Sequence, residues 1–293
     1  MAILVDERSR IVIQGITGNI GANFATETKR LYPAVMVAGV TPGRGGQSVA
    51  GVPVYDAVAE AVERHGADTS FVCVPAPAVK DSVVEAIDAG IRTIGVYTEG
   101  VPLHEAVQLV AYARSRGARL LGPNAAGVLS PGKAGMGEIT EGYFPTRPGG
   151  LGIVAKSGSI VYEAVALTTH VEGQSTMVCL GGDPILGTTF LDVLGLFEAD
   201  PETRVVLLIG EIGGPDEHAA AEFVRTMETP VVAYVCGHAA PPGKKMGHAG
   251  AIVSGGRDTA AAKSEALRAA GARVAHTLPE VPALLPEALD GHR

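Results

Sequence analysis

Ile11-Val12-Ile13-Gln14-Gly15-Ile16-Thr17-Gly18-Asn19-Ile20-Gly21 sets a short apolar run directly against a G-x-x-G-x-x-G turn, and residues 19–30 beyond it are amphipathic at helical spacing. A β-branched run, a glycine turn and a helix in that order open a doubly wound α/β domain, with backbone N–H groups at the helix start available to an anion. The spacing is not the dinucleotide form G-x-G-x-x-G, and a tight turn without a ligand would read the same way. Outward from this stretch the alternation repeats. Strands are expected at 35–40, 70–74, 93–97 and 119–121, with helices near 55–64, 79–89 and 103–115. A second series places strands near 152–155, 176–180, 205–210, 231–236 and 250–253, and helices after Gly158, Leu186, Pro215 and Asp258. Between the two, residues 122–150 hold eight glycines and four prolines, so the seam falls there. The expected fold is α/β: a Rossmann-like domain over 1–122, a Gly/Pro-rich connector over 123–150 and a flavodoxin-like domain over 151–293. Pro279, Pro282 and Pro286 make the last segment a poorly continuous helix.

The bulk properties agree with two soluble domains. At 293 residues the chain exceeds the roughly 250–300 at which single cores stop growing. With 46% hydrophobic and 18% charged residues it has the composition of a globular protein, and its net charge of −8 repels a nucleic acid or an anionic membrane surface. Unbroken apolar stretches such as 205–209 fall far short of a membrane span. Asp6, Glu7, Arg8 and Arg10 are at odds with a secretory signal, and Cys73, Cys179 and Cys236 read as reduced core thiols. A cytoplasmic location is the expectation, with no metal site.

Several residues suit chemistry. Arg44, in the loop after the second strand, offers a guanidinium where an NAD enzyme would carry an acid. It fits an additional ribose phosphate, as on NADP or coenzyme A, although a solvated loop arginine is the plain alternative. Tyr97, Thr98 and Glu99 end the fourth strand, where ligands bind in open α/β sheets. In the second half, His248 stands between Gly247 and Ala249-Gly250, uncrowded by bulky neighbours. Glu211, just after an apolar strand, can take the proton of one ring nitrogen and leave the other as a nucleophile. Ser157, Gly158 and Ser159 open a helix whose N-terminus can hold a phosphate, or simply cap it. A nucleophile, an orienting carboxylate and an anion cradle together suggest a phosphohistidine.

These motifs, with Gly39-Val40-Thr41-Pro42-Gly43, Val74-Pro75-Ala76-Pro77, Gly181-Gly182-Asp183-Pro184 and Met246-Gly247-His248-Ala249-Gly250-Ala251, make the chain similar over nearly its whole length to the α subunits of succinyl-CoA synthetase and related ADP- or GDP-forming acid–CoA ligases. The resemblance implies a CoA-binding Rossmann-like domain followed by a CoA-ligase domain of flavodoxin type. It implies that Thr17, Gly18, Asn19, Ile20, Arg44, Tyr97, Thr98 and Glu99 line the coenzyme A site. It makes His248 the phosphorylated residue, Glu211 its orienter and Ser157, Gly158 and Ser159 the phosphate cradle. Asn124, Ala125, Ala126 and Tyr162 border the acid, Tyr162 on the side facing a partner. An ATP-grasp β subunit would supply ATP or GTP with Mg2+, and the acid would be succinate or a related dicarboxylate. The chain departs from the family pattern at Arg44 (usually Lys), at Ala155-Lys156-Ser157-Gly158-Ser159 (usually Ser-Arg-Ser-Gly-Thr), at Ala125-Ala126 (usually Cys-Pro) and over 136–148. Losing Cys and Pro at 125–126 enlarges the expected acid pocket, which points to a hydroxylated or branched dicarboxylate. A CoA-binding regulator without catalysis, and more remotely an NADP-dependent oxidoreductase, are the competing readings.

Overall fold

The computed structural model describes residues 2–138 and 145–290, which form two seven-stranded sheets. In the first half the strands are β1 (Ile11–Gln14), β2 (Met36–Val40), β3 (Ser48–Val49), β4 (Val52–Tyr55), β5 (Thr69–Val72), β6 (Thr93–Val96) and β7 (Arg119–Leu121). They alternate with α1 (Asn19–Leu31), α2 (Val58–His65), α3 (Ala76–Asp88) and α4 (Leu103–Ser115). Helices cover both faces, so β1 and β5 are buried at every residue and read as continuous runs with no polar face. The order across the sheet is β3-β4-β2-β1-β5-β6-β7, and without the antiparallel β3 this is the 3-2-1-4-5-6 arrangement of a Rossmann fold. The order reverses between β1 and β5, so the turns that follow them part to leave a crevice. Gly21 lets α1 begin there, because any side chain at that position would collide with the Gly15 carbonyl.

The second half contributes β8 (Gly127–Ser130), β9 (Ala134–Gly137), β10 (Pro148–Ala155), β11 (Gln174–Cys179), β12 (Val205–Glu211), β13 (Val231–Cys236) and β14 (Arg273–Ala275). Its helices are α5 (Gly158–Thr168), α6 (Phe190–Ala199), α7 (Asp216–Val224), α8 (Ala260–Ala269) and α9 (Val281–Asp290). The five parallel strands run β11-β10-β12-β13-β14, the 2-1-3-4-5 order of a flavodoxin-like sheet, and the antiparallel hairpin β8–β9 extends the β11 edge. Here the switch point lies between β10 and β12, which brings residues 156–159 and 211–214 to one crevice.

The structure departs from the local expectations in five places. Tyr55 ends β4, so α2 starts later than expected, at Val58. Ala50 and Gly51, both at positive φ, turn β3 back onto β4 in the manner of a tight hairpin. Residues 127–137, inside the expected connector, form the β8–β9 hairpin, with all eight strand residues buried. Residues 250–253 add no strand to the sheet: Ile252 bridges back to Lys245, and β14 is the fifth parallel strand instead. Finally, α9 is continuous, because Pro282 sits in its first turn and Pro286 forfeits only one backbone bond.

The halves share apolar packing. Ile11, Ile13 and Phe71 of the first sheet belong to the same buried cluster as Val128, Met136 and the interior of the second. The N-terminal segment crosses the seam too: the Ile3 N–H donates to Thr176 Oγ1 at 3.3 Å, and Ser130 Oγ donates to the Val5 carbonyl at 3.0 Å. Among the described residues no helix is long and apolar enough to cross a membrane.

Candidate active site

The carboxyl ends of both sheets enclose a cavity of about 850 Å3. The start of α1 contributes Gly18, Asn19 and Ile20, and the loop after β6 contributes Tyr97, Thr98 and Glu99. Opposite them stand Ser157, Gly158 and Ser159 at the start of α5, with Tyr162 one turn on and His248 at the rim. Asn124, Ala125 and Ala126 close the wall between the two sheets. That segment is tied both ways: the Asn124 N–H donates to the Thr98 carbonyl at 3.0 Å, and its own carbonyl accepts from the Gly182 N–H at 3.2 Å. Asn124 adopts φ +58°, a conformation that asparagine tolerates better than most residues.

Three of the expected residues stand outside the wall. Thr17 lies inside the glycine turn, its N–H 3.4 Å from Thr41 Oγ1. Arg44 is exposed on the loop after β2, and its guanidinium has no ion-pair partner among the described residues. Glu211 sits behind His248 at the end of β12, with its Oε2 2.8 Å from His248 Nδ1.

The histidine's loop is held as a narrow hairpin by Gly243 N–H to Val253 C=O and Met246 N–H to Ala251 C=O, at 2.9 and 3.0 Å. This use of the 251–253 backbone is why those apolar residues join no sheet. The ring rests on Gly182, where a Cβ would come within 2.6 Å of it. The hydrogen bond that His248 Nδ1 donates to the Glu211 carboxylate raises the imidazole pKa above its ordinary 6.5, outweighing the partial burial that opposes charge. With Nδ1 committed to the carboxylate, Nε2 has no protein partner among the described residues.

At the other side of the cavity Ser157 occupies the N-cap position of α5, but its side chain makes no capping bond. The capping alternative is thus not what the structure realises, and the first-turn N–H groups and the Ser157 hydroxyl remain available to an anion. Gly158 is packed so closely that a Cβ there would lie 2.5 Å from that of Ala126.

Further charged and titratable groups surround the site. Lys156 is buried, 3.2 Å from Asp216 Oδ2; burial opposes its charge, yet Glu217 and Asp216 raise its pKa overall. Asp183 is raised by burial, against hydrogen bonds from the Asn124 side chain and the Gly100 and Val101 N–H groups. Glu138 lines the cavity, its carbonyl accepting from Tyr162 Oη at 3.0 Å. Tyr97 is raised first by burial and next by that carboxylate. Asp183 belongs to the Gly181-Gly182-Asp183-Pro184 motif, whereas Glu138 falls in the divergent 136–148 stretch, of which 139–144 lie outside the described residues. Among the described residues no three His, Cys, Asp or Glu side chains converge to hold a metal.

Comparison with known proteins agrees with this arrangement. Residues 6–100 match the CoA binding domain family and residues 154–273 the CoA-ligase family. The alpha 2 subunit of the ADP-forming succinate–CoA ligase of Archaeoglobus fulgidus is 53% identical over 290 residues, covering 99% of this chain and 100% of that one. The chain belongs to the succinate–CoA ligase α-subunit family. Another member, the α subunit of the ADP-forming succinate–CoA ligase of Aquifex aeolicus, is 49% identical and covers 94% of this chain and 90% of its own. Family membership accounts for the order of the two units, with the CoA-binding sheet first and the ligase sheet second. Among solved structures, ATP citrate lyase from Methanothrix soehngenii, in complex with citrate and coenzyme A, superposes with a TM-score of 0.89 at 27% identity. The alignment covers 99% of this chain and 51% of the lyase chain, so this chain spans about half of that longer polypeptide.

Proposed function

We propose that the chain is the α subunit of an ADP- or GDP-forming acid–CoA ligase that works through phosphorylated His248. The observation that carries this reading is the convergence on one cavity of the Glu211–His248 pair, an α5 N-terminus without a side-chain cap and the ligand end of a CoA-binding sheet. In this reading residues 1–122 form the coenzyme A unit, 151–293 the ligase unit, and 123–150 joins them. Gly18, Asn19, Ile20, Tyr97, Thr98 and Glu99 face coenzyme A, Thr17 shapes the turn, and Arg44 reaches the ribose phosphate from outside the wall.

Glu211 holds the Nδ1 proton, so Nε2 keeps the lone pair that attacks the terminal phosphorus of a nucleoside triphosphate; the bond to the bridging oxygen breaks and the diphosphate leaves. Ser157 and the first N–H groups of α5 hold the phosphoryl oxygens. A substrate carboxylate then takes the phosphoryl group, regenerating His248 and forming an acyl phosphate. The CoA thiolate attacks the acyl carbon, forming the thioester and releasing phosphate. The nucleotide, with Mg2+, is supplied by an ATP-grasp β subunit, and Asn124, Ala125, Ala126 and Tyr162 border the acid, a succinate-like or more substituted dicarboxylate. Incubation of chain and β subunit with ATP labelled in the γ position tests this. The expected result is an acid-labile label on His248, absent from His248→Asn, which is discharged as labelled inorganic phosphate, with acyl-CoA formed alongside, when the substrate acid and coenzyme A are added. Label that persists in the variant, or thioester formed without a labelled chain, would overturn it.

A further inference from the structure

Beneath the Glu211–His248 pair lies a second layer of charge that the mechanism above does not use. Lys263 on α8 and Glu217 on α7 are both completely buried and paired with each other. The Lys263 ammonium has three protons, and the structure gives each an acceptor: a Glu217 carboxylate oxygen, the Glu211 carbonyl at 2.8 Å and the Gly213 carbonyl at 2.6 Å. The other Glu217 oxygen accepts from the Glu211 N–H at 3.1 Å and lies 3.6 Å from Lys156 Nζ. Glu211 is therefore gripped at both its N–H and its C=O by one buried ion pair. The turn that follows is gripped as well, and Gly213, at φ +85°, is pressed so closely onto the 250–252 backbone that a side chain there would collide with the Gly250 carbonyl. Residues 250–252 close the loop that carries His248.

We propose that Lys263 and Glu217 are positioning residues that set the Glu211 carboxylate against His248 Nδ1 by clamping the 211–213 turn. Stability alone does not account for them, since a buried ion pair replaced by apolar side chains of like volume commonly leaves a protein as stable or more so. What apolar replacements cannot do is hold two carbonyls and an N–H at fixed places around one catalytic side chain. The meaning for turnover rests on the reading of His248 as the phosphorylated residue, but the geometry does not.

The test is a pH titration of the His248 imidazole by NMR in the full chain, beside thermal melting and coenzyme A binding. The titratable groups around the pair are Lys156 after β10, the thiols of Cys179 at the end of β11 and Cys236 on β13, both pushed up by burial, Asp183 after β11, Asp216 and Glu217 on α7 and Lys263 on α8. Glu211→Gln sets the reference: the raised midpoint falls toward the ordinary imidazole value. The double variant Lys263→Met with Glu217→Leu should melt cooperatively, bind coenzyme A within about twofold of wild type, and show the same downward move of the His248 midpoint. Should the double variant not fold, Glu217→Gln decides, because its amide keeps only one acceptor and must turn its NH2 donor either toward Lys263 or toward the Glu211 N–H and Lys156, which loosens the same turn at nearly unchanged volume. A folded variant that titrates like wild type overturns the inference. Should Glu211→Gln itself leave the midpoint unmoved, the Glu211–His248 reading fails first, and the two failures are thereby separated.

Discussion

At the residue scale, the hydrogen bond between His248 and Glu211 has a sign that can be measured. Because the folded pKa of His248 lies above 6.5, the pair stabilises the fold fully below that value and progressively less as pH rises through the folded midpoint. The stability gap between wild type and Glu211→Gln in urea melts is therefore expected to be widest in acid and to close in alkali; a gap that widens with pH would contradict the assignment. Phosphorylation of Glu211→Gln should slow by about a hundredfold, since the variant no longer fixes the tautomer that frees Nε2. Arg44→Ala should weaken coenzyme A more than dephospho-CoA, as measured by calorimetry, because only the former carries the ribose phosphate. Equal losses would remove Arg44 from the site. Both His248 and Glu211 were legible from the sequence, the first by its glycine setting and the second by its place after an apolar strand. Lys263 was not: a lysine within Ala260-Ala261-Ala262-Lys263-Ser264-Glu265 reads as a solvated helix face, and only the packing of α7 against α8 reveals that its head group is wholly enclosed.

At the scale of elements, strands buried on both faces announce themselves as apolar runs, which is why β1, β12 and β13 could be read directly. The β8–β9 hairpin could not, because Gly127, Gly132, Gly135 and Gly137 resemble a linker until the pairing with β11 is seen. Residues 250–253 fail in the opposite sense: Ala251, Ile252 and Val253 have strand character, but their backbone groups are spent on closing the histidine loop. The approach of α5 to the 124–126 segment yields its own prediction. Gly158→Ala should cost about 1–3 kcal/mol, from overpacking against Ala126, and displace the helix N-terminus from the cavity. Thermal melting and labelling with ATP should fall together; an unchanged melting temperature would mean that the contact yields without cost.

For the whole molecule, one apolar cluster continuous across both sheets predicts a single calorimetric transition, and two resolved transitions would show that the halves are energetically separate. The chain alone is expected to bind coenzyme A but to make no thioester from ATP and acid, and turnover by the chain without a partner would refute the division of labour proposed above. The seam itself was visible as a change in composition, while the way the two sheets are joined was not, since it depends on pairings between residues remote in sequence. The link from Ile3 to Thr176 spans 173 positions. A ribosome adding about 5–20 residues per second covers that distance in roughly 10–35 s. In the last part of that interval, once Leu121 has been added, the first sheet is complete while the acceptor for its leading segment has not been synthesised, and Ile3, Val5 and the Phe71 face stay open to solvent or to a chaperone. The relative placement of the cavity's two walls is therefore written late in biosynthesis, and slow codons between residues 138 and 176 would prolong the stage at which the nascent chain is most prone to aggregate.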